Sequence, residues 1–290
     1  MCWRQVIFEN DIDALNEKER IKEILHEHRY AFVDREYGEQ HRIRIRGIQE
    51  GADIRRFLNE VRGSYILAEE THKSFFQNFE QFVLYCEMHH ELDLYWFPYY
   101  FADPPQLELV INHAKLIADK LTVTLDEGYN SHLSHFLGFF YSLTEKQKEE
   151  ILFSFRERYK KTDISSLQDE MMSTDVYLEQ ISKMVEAKKL DFFSPYTLES
   201  IREKKQYASK THERTIENAE KSNFLFSKYY ICNRWYLNAL YVSMILMNIP
   251  VIDKFFMNYV LAKERYLLDE MCERNLQTGE EVIWLRESTL

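Results

Sequence analysis

Three Glu-x-x-His pairs give this chain its clearest potential for metal chemistry. They are Glu23/His26, Glu69/His72 and Glu87/His90. Residues three apart lie on one face of a helix, so each pair could present a carboxylate and an imidazole together. Di-iron carboxylate bundles use two such pairs and a further Glu from each of two other helices. No apolar helix of this sequence has an evident Glu to supply it, so we expect no metal and no cofactor.

The pairs leave one alternative open, a helical metalloenzyme with a carboxylate and histidine site. Its ligands would be Glu69, His72, Glu87 and His90. His132 and His135 have the same one-face spacing, for which a packing or solvated role is favoured over metal binding. The sequence contains no Gly-rich phosphate loop, no His-Glu-x-x-His and no Gly-x-Ser-x-Gly. The common catalytic motifs therefore do not support an enzyme.

The cysteines and the N-terminal residues indicate a cytoplasmic protein. Cys2, Cys86, Cys232 and Cys272 are widely separated and form no Cys-x-x-Cys pair. Neither a zinc site nor a disulfide framework is therefore expected. The first residues, MCWRQVIFENDID, have only a three-residue apolar patch before acidic residues begin. This pattern is not that of a signal peptide.

Negative charge is concentrated in the first half of the chain. The net charge is -11, and residues 1–150 hold 17 basic and 27 acidic residues, whereas residues 151–290 hold 20 and 21. The stretch 64–110 contains eight acidic residues against Lys73 alone. Such a surface disfavours nucleic acid and anionic membranes, and it favours a basic protein or a cation as partner.

The acidic stretch 69–108 is also rich in aromatic residues, with LDLYWFPYYF near its centre. Acidic residues speed association with a basic partner, and Tyr or Trp side chains supply much of the binding energy at interfaces. The alternative is that the aromatic residues form a core and the acids are the solvated side of the same helix. On the first interpretation the partner-binding residues are Glu69, Glu80, Glu87, Glu91, Asp93, Tyr95, Trp96, Asp103 and Glu108.

Composition and periodicity predict a helical protein. Gly and Pro are scarce, at 7 and 5 of 290 residues, so few turns can form and long helices are expected. Apolar residues recur at helical spacing over 11–33, 52–83 and 105–121, which predicts helices there. Thr144 followed by Gln147 is a capping-box pattern that opens another helix.

One stretch departs from this helical pattern. Residues 41–47, HRIRIRG, alternate Arg and Ile, as a strand does. No partner strand is evident, so whether 42–46 is a strand stays open.

A long apolar segment, 224–248, is expected to be the central core helix. Eighteen consecutive uncharged residues lie between Arg234 and Asp253, apolar nearly all round, and a helix of that kind has to be buried by others. Polar residues inside the run and a mean hydropathy of -0.47 for the chain argue against a membrane span.

We therefore expect an all-α fold, an antiparallel multi-helix bundle in two packed halves. Residues 1–162 would form an acidic N-terminal helical half. Residues 163–290 would form a C-terminal helical half built on the 224–248 core helix, with the polar stretch KKTDISSLQDEMMST near the joint.

The segment SKYYICNRWYLNALYV, which begins at Ser227, resembles the C-terminal motif of immunity proteins that neutralise PoNe-type DNase toxins. In that family a Ser-Lys or His-Lys step precedes a Tyr, then a Gly-Tyr-Trp triplet and a small-residue apolar helix ending near an Ile-Asp. Trp235, Ala239 and Ile252-Asp253 can be placed on this pattern. The stretch LDLYWFPYYF is similar in character to the family's N-terminal Leu-Trp helix.

The chain departs from the family pattern at three points. The triplet reads Asn233-Arg234-Trp235, Asn238 stands where an acid is expected, and the family's Tyr-Tyr-Pro ending is missing. The resemblance covers two short pieces of the chain.

The resemblance implies a soluble, all-α, acidic and non-enzymatic protein that blocks a DNase, whose own surface must be basic to hold DNA. We therefore expect a non-enzymatic binding protein that neutralises a basic nuclease toxin in the cytoplasm, without nucleic acid or membrane as partner. A further alternative is a regulatory helical scaffold with a small-molecule pocket among the aromatic residues. The sequence does not indicate an oligomeric state.

Overall fold

The computed structural model describes residues 3–9, 11–36, 42–49, 58–59, 61–70, 76, 78–101, 105–123, 126–164 and 227–282, together with the single residues 179, 182, 183 and 213. The strands are β1 (Trp3–Phe8), β2 (Phe32–Glu36), β3 (Arg42–Gln49) and β4 (Tyr65–Glu69). The helices are α1 (Asp11–Asn16), α2 (Lys18–Glu27), α3 (Phe79–Trp96), α4 (Leu107–Lys120), α5 (Glu127–Tyr141), α6 (Glu145–Tyr159), α7 (Lys228–Leu246), α8 (Val251–Arg265) and α9 (Leu268–Thr278).

The prediction of an all-α fold is wrong, because the N-terminal region contains a four-stranded antiparallel sheet with the order β2-β3-β1-β4. The Arg and Ile alternation at 42–46 is indeed a strand, and it lies in the middle of the sheet between β1 and β2. Helices α1 and α2 and strand β2 lie between β1 and β3 in the sequence, whereas β2 ends at Glu36, shortly before β3 begins at Arg42. No partner was evident because β1 is distant in sequence and because Phe32 and Val33 of β2 continue the apolar spacing of α2.

Two helix predictions are also wrong, because each predicted helix includes residues that form a strand. The predicted helix 11–33 is two short helices, α1 and α2, followed by the start of β2. The predicted long helix over 52–83 contains strand β4, and α3 begins at Phe79. In both cases apolar residues at near-helical spacing belong to strands. Phe32 and Val33 of β2 are buried, whereas Ile66 and Leu67 of the edge strand β4 are exposed.

Gly47 produces a bulge in β3 that keeps its isoleucines on one face. Arg4 pairs with Ile48 and Val6 pairs with Ile45, so one residue of β1 lies opposite both Arg46 and Gly47. Gly47 has φ +69, and a Cβ there would lie 2.0 Å from the Tyr30 carbonyl oxygen. Because the extra residue shifts the alternation by one, Ile48 joins the buried isoleucines of β3.

The face of the sheet that packs against α3 carries buried charges. Asp34 on β2 accepts two hydrogen bonds of 2.7 Å from Arg44 and one of 3.0 Å from Arg46. Arg46 also pairs with Glu70, which follows β4. Burial raises the pKa of Asp34, but the charges of Arg46 and Arg44 outweigh it and lower the pKa overall. Asp34 therefore stays ionised beside its two arginine partners.

Aromatic rings fill the space between this face and α3. Trp3 lies edge-on to Phe82, with ring centroids 5.0 Å apart, and Phe32 lies edge-on to Tyr85 at 5.6 Å. Trp3, Phe32 and Phe82 are fully buried. The charge network is thus enclosed by apolar side chains, which makes its internal pairing obligatory.

Helix α7 is the buried helix that the apolar run predicted. It contacts α3, α4, α5 and strand β2, and most of its residues are buried. Two further helices, α8 and α9, follow it. The capping box at Thr144 is confirmed, with Thr144 N–H donating to Gln147 Oε1 at 3.0 Å. In the described part of the chain, no helix has the length and apolar character needed to cross a membrane.

We predict that Arg46→Met lowers the free energy of unfolding by about 3–5 kcal/mol, because it leaves Asp34 and Glu70 buried without their shared cation. Arg20→Met is the matched control, since Arg20 pairs with Glu23 on the surface and should cost less than about 1 kcal/mol. Urea denaturation measures both. Equal losses in the two variants would contradict the role given to Arg46.

Candidate protein-binding surface

Helix α3 presents an acidic face to solvent and an apolar face to the sheet. Its 18 residues include four acids and no Lys or Arg. Asn78 caps the helix, accepting a hydrogen bond of 2.9 Å from Gln81 N–H. The acids Glu87 and Glu91 follow Glu80 by 7 and 11 residues, a spacing that places all three on one side of a helix. We call these three residues the α3 acidic face.

The structure divides the predicted partner-binding residues into four groups. Exposed on the surface are Glu69, Glu80, Glu91 and Glu108. Glu87 and Tyr95 are half-buried, whereas Asp93 and Trp96 are fully buried. Asp103 lies outside the described residues. A partner that docks on the surface therefore cannot contact Asp93 or Trp96.

The burial of Asp93 follows from the geometry of α3. Two residues of helix turn the side chain by about 200°, so Asp93 points away from Glu91, and Trp96, three residues on, lies on the same side as Asp93. The helical periodicity of this stretch distinguishes the outward acids from the inward Asp93. A count of acidic residues along the sequence does not make that distinction.

Within the α3 acidic face, Glu87 is partly neutralised. Its carboxylate accepts a hydrogen bond of 2.6 Å from Arg29, which is 71% exposed. Exposed ion pairs of this kind contribute about 0–1 kcal/mol, but they cancel charge locally. Glu87 therefore contributes less negative charge to the α3 acidic face than a carboxylate without such a partner would.

Tyr95 is held rigidly beside the acidic face. Its ring stacks on His113 of α4, with centroids 5.3 Å apart and an interplanar angle of 12°, and it meets Trp96 edge-on at 4.5 Å. His113 shares a hydrogen bond of 2.8 Å with the Tyr236 hydroxyl. Burial lowers the pKa of His113 to about 4, so the ring is neutral near pH 7. A half-buried aromatic side chain fixed in this way suits an interface anchor.

His113 is a residue that sequence reasoning missed. It lies among the buried residues of α4. Its position three residues after Val110 and four before Ile117 places it on the apolar stripe of that helix. This spacing was available in the sequence as a signal that His113 faces inward.

Asp93 forms the buried polar centre beneath the acidic face. It accepts a hydrogen bond from Val33 N–H and is hydrogen-bonded to the Tyr100 hydroxyl. That hydroxyl also donates to Ser243 of α7 at 3.2 Å. Tyr100 has one hydroxyl hydrogen, so it can donate to Ser243 when Asp93 is protonated and donates to it, whereas with an ionised Asp93 it donates to the carboxylate and Ser243 can donate to Tyr100. Burial raises the pKa of Asp93 to about 8, which agrees with a neutral carboxyl.

The residues of the alternative metal site do not come together where they are described. His90 contacts the Ala31 carbonyl oxygen through Nδ1 at 2.8 Å, and Glu87 pairs with Arg29. His72 lies outside the described residues. Across the described ranges, no three His, Cys, Asp or Glu side chains are grouped as a metal ion requires.

A groove of about 390 Å³ lies where the turn between α8 and α9 meets the start of α5. Arg265, Leu267, Glu270 and Arg274 are among its lining residues. None of its lining residues belongs to 69–108, so this groove is not the aromatic pocket expected for a small-molecule scaffold.

No protein-family model matches the chain, and no curated protein matches it either. Only some of the residues that carry the resemblance to PoNe-toxin immunity proteins occupy core positions. Trp235 and Ala239 on α7 are buried, and Asp253 lies in the first turn of α8. Ile252 is exposed, and Asp253 accepts a hydrogen bond from Arg158 of α6.

We predict that Asp93 makes the protein less stable as pH rises from about 4 to about 8. Burial raises its folded-state pKa to about 8 from the ordinary value of 3.8. Between these values the unfolded chain releases a proton that the folded chain keeps, so the free energy of unfolding falls by about 1.4 kcal/mol per pH unit. Below the lower value both states are protonated and the effect is absent.

Asp93→Asn provides the comparison, because an amide can accept from Val33 N–H and donate to Tyr100. The difference in unfolding free energy between the two proteins, measured by urea denaturation from pH 4 to 8, should grow in favour of Asp93→Asn. A difference that does not change with pH would show that Asp93 is ionised in the folded protein.

Proposed function

We propose that this chain is a non-enzymatic binding protein that engages a basic protein partner through the α3 acidic face. The observation that carries the proposal is the composition of α3. Its outward side has Glu80, Glu87 and Glu91 and no basic residue, and its inward side is fixed to the sheet and to α7. A rigid helix with one-sided charge is suited to docking without rearrangement.

The charge balance of the neighbouring helices supports the choice of α3 over the rest of this region. Helices α2 and α4 each contain equal numbers of acidic residues and of Lys plus Arg. A basic partner that approaches the first half of the chain is therefore drawn toward α3, since charge in excess is what steers association.

We further propose that the partner is a nuclease toxin and that the protein acts as its immunity protein in the cytoplasm. A DNase has to carry a basic surface to hold the phosphate backbone of DNA. An acidic helix placed over that surface would occupy the DNA site. The resemblance of the Ser227–Val242 segment to PoNe-toxin immunity proteins supports the same partner class.

Two of the predicted partner-binding residues, Asp93 and Trp96, are buried and have a supporting role in this proposal. Asp93 is hydrogen-bonded to Val33, and Trp96 meets Tyr95 edge-on. Together they fix the C-terminal end of α3 and the orientation of Tyr95. Binding energy would then come from Tyr95, and the association rate from the acids.

We predict that Glu80→Lys combined with Glu91→Lys abolishes inhibition of a PoNe-type DNase by this protein. Both residues are exposed, so the fold should survive. Two reversed charges at the contact should raise the Kd by about 100-fold or more, because close charge pairs at interfaces contribute on the order of 1.5 kcal/mol or more each. A DNA-cleavage assay with purified proteins measures the effect.

The matched control is Glu149→Lys combined with Glu150→Lys on α6, which packs against α8 and α9. This pair is also exposed and changes net charge by the same amount. Equal loss of inhibition in both variants would mean that only net charge matters and would contradict the surface. Failure of the wild-type protein to inhibit any PoNe-type DNase would exclude that partner class.

A further inference from the structure

The sheet has two edges, and side chains of α3 cover backbone groups of one of them. At the β2 edge, the Val33 N–H donates to Asp93, and the Ala31 carbonyl accepts a hydrogen bond of 2.8 Å from His90 Nδ1. Backbone groups at a sheet edge can pair with another strand unless they are covered in this way. These two groups of the β2 edge are therefore not available to another strand.

Strand β4 forms the opposite edge of the sheet, and alternate residues direct their backbone groups outward. Glu70 N–H donates to the Trp3 carbonyl at 2.9 Å. Because antiparallel hydrogen bonds alternate along a strand, the even-numbered residues of β4 bond to β1, whereas Tyr65 and Leu67 direct their N–H and C=O groups away from it. Within the described ranges, neither Tyr65 nor Leu67 forms a backbone hydrogen bond on that outer side.

The apolar side chains of β4 are also uncovered. Ile66 and Leu67 point to opposite faces of the sheet, since successive strand residues alternate. Ile66 is 45% exposed and Leu67 is 41% exposed, so the helices that cover the middle of the sheet do not extend over this strand. An exposed apolar edge strand is a template to which another strand can be added.

The sequence of β4, YILAE, lacks the features that usually keep an edge from pairing. It contains neither Lys nor Pro, and its pairing with β1 is regular, without a bulge. Its one charged residue, Glu69, stands at the end of the strand. Proteins protect exposed edges with Lys, Pro, bulges or inward charges, so β4 is suited to pairing.

A second copy of this chain matches the edge when the two β4 strands run antiparallel, with Leu67 opposite Leu67 of the second copy. This register joins outward backbone groups to outward ones along the whole strand, and it has the two-fold symmetry that most homodimers have. It places Ile66 opposite Ala68, and Tyr65 opposite Glu69, of the second copy. Glu69 therefore never lies opposite another Glu69, an arrangement that would be destabilising.

The charges at the two ends of β4 are complementary in this arrangement. Arg62, which precedes the strand, is exposed, and its side chain forms no ion pair among the described residues. Its backbone N–H donates to Glu17 Oε1 at 2.7 Å, which fixes the chain at this end. Antiparallel pairing brings the Arg62 end of each strand toward the Glu69 end of the other. Opposite charges thus lie near each other at both ends of the paired strands.

We propose that β4 pairs with β4 of a second copy of this chain, so that two four-stranded sheets join into one. Because β4 has only five residues, the paired area is small, and the dimer is a weak one that depends on protein concentration. The surface contains no residue of the α3 acidic face and does not depend on the function proposed for that face.

Sedimentation velocity of the wild-type protein, from about 1 μM to about 1 mM, tests the dimer over the range of Kd expected for a small interface. We expect monomer at the low end and dimer at the high end. Leu67→Lys should weaken association by about 10-fold or more, because it places two ammonium groups opposite each other. Leu267→Lys is the matched control, since Leu267 is 70% exposed just before α9, and it should leave association unchanged.

Amide hydrogen exchange on the wild-type protein covers the case in which Leu67→Lys fails to fold. The Leu67 N–H faces outward in the monomer, so its exchange should slow as the protein concentration rises. A protein that stays monomeric over the whole range, a dimer that Leu67→Lys does not weaken, or a dimer without slower exchange at Leu67 would each overturn the proposal.

Discussion

The pairing of Arg46 with Asp34 and Glu70 is the interaction on which the sheet and α3 depend. The sheet face beneath α3 carries Arg44 and Arg46, and two carboxylates neutralise them there. These acids come from β2 and from the residue after β4, so the network joins the strand ends that are far apart in sequence. With the charges matched, Trp3, Phe32 and Phe82 can enclose them, and α3 can lie on the sheet.

Helix α3 has different properties on its two sides because of this arrangement. Its inner side contributes Asp93, a carboxyl kept neutral by burial and hydrogen-bonded between β2 and Tyr100. Its outer side has acids that remain in solvent. A carboxyl group thus belongs to the core where it is protonated and supplies surface charge where it is ionised. The helix is fixed before any partner binds, so binding would not have to order it.

Local patterns predicted the parts of the fold that depend on local interactions. The 105–121 periodicity corresponds to α4, and the Thr144 capping box begins α6. The sheet was not predictable in the same way. The Arg and Ile alternation of β3 was visible, but its partners are β1 at the N-terminus and β2, whose Phe32 and Val33 continue the apolar spacing of α2. Strand pairing depends on contacts between distant residues, which spacing does not report.

The candidate binding surface, like the fold, was predicted from the sequence only in part. The acids of α3 were found from composition, and the helical phase could have placed Asp93 and Trp96 inside. The exposed position of Glu80 and Glu91 agrees with the solvated side that the sequence predicted.

The central claim is that the outward side of α3 is the contact surface for a basic protein. Mapping NMR chemical-shift changes on this chain as a PoNe-type DNase is added tests that claim most directly. We expect the largest changes at Glu80, Glu91 and Tyr95, with small changes along α6 and α9. Changes confined to α6, α8 and α9, or saturation without any change on α3, would contradict the account.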